Sequence, residues 1–151
     1  MKNALLILTI LMFATGSADA QKMNRTKMKL LKTSYITDAI NLSPTEAEKF
    51  WPVYNLYTDN IQQLKRSLDV EIRQAINLAG GIENISESDA KNTLDHMLTL
   101  EQQIGDNKIK LITELSKIIS AKKIVTLQKA EKDFNRQILQ EFGRRNRMQG
   151  Q

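Results

Sequence analysis

The sequence predicts an all-α fold: four helices in two hairpins, with two long helices in the centre. Apolar residues recur at steps of three and four along four stretches, the spacing of one helical face. Serines stand where three of those stretches begin, as Ser43, as Ser86 or Ser88, and as Ser120, each able to cap a helix. Gly80-Gly81 and Gly143 stand where two of them end, and both prolines, Pro44 and Pro52, fall within one stretch.

The N-terminus reads as an address. Lys2, an apolar run from Ala4 to Ala14 and the A-x-A triplet Ala18-Asp19-Ala20 make residues 1–20 a secretory signal peptide, with cleavage expected after Ala20. The run is too short to span a bilayer and no later segment approaches one, so the mature chain is expected to be exported and periplasmic, with no transmembrane segment. The sequence has no cysteine, so packing alone must hold the fold. Residues 21–143 are read as one domain and 144–151 as a disordered basic tail.

The net charge of +5 is unevenly spread. Residues 21–40 carry +4 and 120–151 carry +5, whereas 41–79 carry −1 and 80–119 carry −3. Basic ends around an acidic middle leave the ends as candidates for an acidic partner or anionic lipid; nucleic acid is not expected for an exported protein.

The first helix is placed at 27–42, with Met28, Leu31, Tyr35, Ala39 and Leu42 on its inner face and Asn41 near its end. The second starts at Pro44, with Ser43 as N-cap and Glu46 closing a capping box. Its seam is Phe50, Val53, Tyr54, Tyr57, Ile61, Leu64, Leu68, Ile72, Ile76 and Ala79. Pro52 has no N–H for the Glu48 carbonyl, so a bend, or a break after Phe50, is expected there. That bend is expected to gather Phe50, Trp51, Tyr54 and Tyr57, either as the wide end of the core or as a contact surface.

The third helix, after Ser86 or Ser88, carries Ala90, Leu94, Met97, Leu98, Ile104, Leu111, Ile112, Leu115 and Ile118, and its seam thins at Glu101, Gly105 and Lys108. The fourth, after Ser120, shows Ile124, Leu127, Ala130, Phe134, Ile138 and Phe142 and ends at Gly143. A helix of roughly 36 residues is about 54 Å long, against about 36 Å for a compact ball of this chain length. An elongated molecule with apolar surface left for a second copy or a client is therefore expected.

Two segments repeat at a shift of 77 residues. Leu42 falls on Ile119, Ser43 on Ser120, Glu46 on Lys123, Phe50 on Leu127, Val53 on Ala130, Tyr57 on Phe134 and Ile61 on Ile138. Leu42-Ser43-Pro44-Thr45-Glu46 and Ile119-Ser120-Ala121-Lys122-Lys123 resemble the paired L-T-x-x-Q elements of the periplasmic Spy and CpxP family of stress proteins. Serine stands for threonine in both, and Glu46 and Lys123 stand at the glutamine positions. Phe50-Trp51-Pro52-Val53-Tyr54 and the run from Leu127 to Phe134 are similar to exported helical proteins known as "sensor of ECF-type sigma factor", a branch of the same group. The resemblance covers about Lys27 to Phe142. It implies a curved, dimeric, four-helix cradle that works either as an ATP-independent chaperone or as a tuner of an envelope-stress sensor.

Catalysis is not expected. A nucleophile needs an adjacent base, and the chain has no cysteine and one histidine, His96. Its helical neighbours at three and four positions, Asn92, Thr93, Thr99 and Leu100, are poor metal ligands, so no metal, cofactor or catalytic residue is expected. The reading is a stress protein that binds unfolded clients or a membrane-associated regulatory protein, as a homodimer. The alternatives are a dedicated regulator in a sigma-factor pathway and a metal-binding periplasmic sensor.

Overall fold

The computed structural model describes residues 16–149, and these contain four α-helices, one 3-10 turn and no strand. The helices are α1 (Gly16–Ala39), α2 (Pro44–Ala79), α3 (Glu87–Leu115) and α4 (Ala121–Gln149), and the turn is Ile82–Asn84. The expected signal run, Ala4 to Ala14, lies outside the described residues, and the expected cleavage point after Ala20 lies within α1. No helix among the described residues is long and apolar enough to cross a membrane.

The chain divides into two units, each with its own core. Among the described residues, one holds 16–41 together with 126–149, and the other is Leu42–Val125.

In the first unit Ile36 of α1, Ile40 just after it, and Leu127, Ala130 and Phe134 of α4 are buried, and the two helices meet through a ring pair and an ion pair. The Tyr35 and Phe134 rings lie 5.6 Å apart and Lys32 Nζ is 3.5 Å from Glu131 Oε1. The inner face of α1 agrees with the expected one at Met28, Tyr35 and Leu42 and departs from it elsewhere: Leu31 and Ala39 are exposed, while Ile36 and Ile40 are buried. The expected stripe came from steps through Leu31 and Tyr35. The inner stripe runs Met28, Lys32, Tyr35, Ile36 and Ile40, with the aliphatic stem of Lys32 half-buried. The α4 face agrees with expectation from Ile124 to Ile138. This helix continues beyond Gly143 to Gln149, because one glycine costs only about 1 kcal/mol and the following arginines suit a helix C-terminus.

The second unit is the α2–α3 hairpin with the first turn of α4. Ser43 caps α2 and the helix runs unbroken through Pro52 to Ala79, so the expected break after Phe50 does not occur. A proline inside a long helix removes one hydrogen bond, and the turns on either side hold the rest of the ladder. Gly80 adopts φ 75° and ends α2: its N–H donates to the Asn77 carbonyl at 3.1 Å, and the Gly81 N–H donates to that of Ile76 at 3.0 Å. This closure needs a left-handed residue, which glycine supplies without steric cost.

Ser86 caps α3, its Oγ accepting the Asp89 N–H at 3.1 Å. The helix stops at Leu115, three residues short of the expected Ile118, and the tight turn that follows tucks Ile119 into the core. The α3 inner face is also rotated from expectation. Ala90, Leu94, Leu98 and Ile112 are exposed, and the row facing α2 is Thr93, Met97, Leu100, Ile104, Leu111 and Leu115. Glu101 therefore does not thin the seam, because it points away and Leu100 takes the inner place.

The core of this unit gathers at one end. Leu42, Phe50, Tyr54, Ile61, Ile104, Leu111, Leu115, Ile119 and Ile124 are buried there. From residue 62 to residue 103 no side chain is buried. Leu64, Leu68, Ile72 and Ile76 of α2 face Met97 and Leu100 of α3, yet all six stay half-exposed. Two helices in contact cover each other on one side only, and burying a residue completely takes a third element.

Candidate functional site

Two features of the second unit come from residues that the sequence marks: the paired caps, and the aromatic cluster above the first of them. At the first cap, Ser43 Oγ accepts the Glu46 N–H at 3.2 Å and Glu46 Oε2 accepts the Ser43 N–H at 2.8 Å, which completes the capping box. At the second, Ser120 Oγ accepts the Lys123 N–H at 3.3 Å. Leu42 and Ile119, each preceding its cap serine, are both buried.

The two caps meet. Lys123 Nζ donates to Glu46 Oε2 at 2.6 Å, so the repeat's equivalent third helical positions, 77 residues apart, form an ion pair. The repeat thus joins a carboxylate to an ammonium. About a quarter of each side chain is exposed, so the pair is partly screened by water. The hydrogen bond from Lys123, with that from the Ser43 N–H, holds the Glu46 carboxyl below its ordinary 4.5.

A carboxyl that is more acidic in the folded chain stabilises the fold above its unfolded pKa, and that stabilisation is lost as pH falls through the folded value. Glu46→Gln keeps the reach back to Ser43 and loses the ion pair. The variant is expected to be less stable than the parent at neutral pH, and the difference is expected to shrink steadily below about pH 4.5. Denaturation midpoints of both proteins from pH 7 to pH 3 check this. A difference that stays constant with pH would show that the Glu46 charge contributes nothing to the fold.

In the aromatic cluster Phe50 stacks on Tyr54, with centroids 5.3 Å apart and planes 15° from parallel, one helical turn away. Trp51 stands edge-on to both, at 5.0 Å from Phe50 and 5.4 Å from Tyr54. Phe50 and Tyr54 are buried, while Trp51 and Tyr57 are half-exposed and Pro52 is exposed. Tyr57 lies outside the ring contacts, so the cluster joins three rings rather than four. Positions 50, 51 and 54 adjoin on any helix, so helical spacing alone brings the rings together. Phe134 is buried in the other unit, against Tyr35.

Sequence reasoning missed the partner of His96. The His96 Nδ1 is 3.1 Å from Glu71 Oε1 across the hairpin, a pairing that spacing along α3 cannot reveal. The two residues flank a cavity of about 370 Å³ near the closed end of the hairpin, which Ala75, Leu78, Asn84 and Asp89 also line. Among the described residues no group of three or more histidine or acidic side chains is placed to hold a metal ion.

No protein-family model, curated protein or solved structure matches the chain.

Proposed function

We propose that the protein is an exported stress protein of the Spy and CpxP kind, binding segments of unfolded polypeptide along the open α2–α3 hairpin without catalysis. The observation that carries this reading is the stretch from residue 62 to residue 103, where two apolar rows face each other and no side chain is buried. Exposed apolar residues flank those rows, among them Val70, Leu78, Ile82, Leu94 and Leu98. Leu78 is 89% exposed and Leu98 60%. Apolar surface on this scale, interleaved with charges of both signs, suits transient contact with many sequences better than one fixed partner. In the absence of a client a second copy of the chain covers the strip, which for a stable dimer requires burying about 1,200 Å² or more.

The test is suppression of aggregation of a chemically denatured enzyme unrelated to this protein. The parent is expected to suppress light scattering at near-equimolar ratio. The double variant Leu94→Gln/Leu98→Gln, altered only at exposed positions, is expected to keep its helix content and lose most of the effect. No suppression by the parent would reject general client binding and favour a dedicated regulator with a single partner.

A further inference from the structure

The outer face of α4 combines cations with exposed apolar residues and has no acid along its row. Stepping by three and four residues it presents Lys122, Val125, Lys129, Lys132, Arg136, Leu139 and Gly143, all exposed. Val125 is 71% exposed and Leu139 73%. The opposite face holds Ile124, Leu127, Ala130 and Phe134 in the core and turns Glu131 to Lys32. The acid nearest the row is Asp133, at its border, which pairs with Lys129 and Arg136. Those two cations remain largely exposed, and exposed pairs of this kind are weak enough for a stronger anion to replace them. An open groove of about 570 Å³ runs over Lys132, Asn135, Arg136, Leu139, Gln140 and Gly143.

We propose that this face of α4 is a docking surface for an anionic lipid bilayer. The row lies on one face of a single helix and spans about 30 Å along it, which a plane can meet. The cations reach lipid phosphates while the lysine stems, Val125 and Leu139 enter the boundary between headgroups and acyl chains. An acidic polypeptide would satisfy the cations and leave both apolar side chains in water. This surface lies on a different element from the client-binding rows of the hairpin.

The experiment is co-sedimentation of the full chain with vesicles of phosphatidylcholine alone and of phosphatidylcholine mixed with phosphatidylglycerol. The readout is the gain in binding on adding phosphatidylglycerol, compared with a triple variant, Lys129→Gln/Lys132→Gln/Arg136→Gln. Both proteins share the apolar run of residues 4–14, so its membrane affinity cancels. The parent is expected to gain binding on the anionic vesicles and to lose that gain at high salt. The triple variant, with unchanged circular dichroism, is expected to bind the anionic vesicles roughly 100-fold more weakly, at about 1 kcal/mol per cation. Leu139→Gln is expected to weaken what binding remains at high salt. No gain on the anionic vesicles, or an equal gain in the triple variant, would overturn the proposal. Binding to a polyglutamate peptide with no gain on vesicles would also overturn it and assign the face to an acidic polypeptide.

Discussion

Phe50→Ala is expected to destabilise the Leu42–Val125 unit by about 3–5 kcal/mol and to lower its thermal midpoint by roughly 12–40 °C. Phe50 is fully buried, stacks on Tyr54 and meets the edge of Trp51. Its truncation leaves a cavity at the only end of the hairpin where side chains are buried, and the residues between 62 and 103 have no core of their own to compensate. Leu56→Ala, on the exposed face of the same helix, is expected to stay within about 0.5 kcal/mol of the parent. Denaturant midpoints of the two variants measure the contrast. Equal midpoints would show that the aromatic cluster is not the anchor of this unit.

Phe134→Ala is expected to produce a loss of similar size, about 3–5 kcal/mol, in the other unit. There Phe134 packs against Tyr35 within a small set of buried residues, Ile36, Ile40, Leu127 and Ala130. Phe134 is the largest of the buried residues among the described side chains of α1 and α4, and removing it is expected to free α1. Amide exchange should then rise between residues 26 and 41 while the α2–α3 hairpin is unchanged. Leu139→Ala, on the outer face of α4, is the matched control. A variant at position 134 with parental exchange in α1 would mean that the other four residues suffice.

Helices and their caps were legible in the sequence because their signals are local. Ser43, Glu46, Ser86, Ser120 and Gly80 act within four residues of themselves, and the structure uses each as its chemistry suggests. Helical faces were less legible. On α4 the large apolar residues fall on one stripe and the reading holds, but α3 carries Leu94 and Leu98 beside Met97 and Leu100. Two adjacent stripes were available, and contact with α2 selects the one less apolar at Thr93. On α1 the stem of Lys32 occupies an inner position that a search for apolar letters passes over. The repeat gave the register of the two caps, and with it the positions of Glu46 and Lys123, whose ion pair the structure then supplies. The His96–Glu71 contact joins two helices through a turn, so no spacing along one helix could show it.

The central claim is that unfolded polypeptide binds along the open half of the hairpin. Amide hydrogen exchange of the full chain, with and without an excess of a permanently unfolded client, tests it most directly. The predicted result is added protection between residues 62 and 103, with no change at the buried end around Phe50, Ile104 and Leu115. Client binding with unaltered exchange between 62 and 103, and protection elsewhere on the chain, would contradict the account.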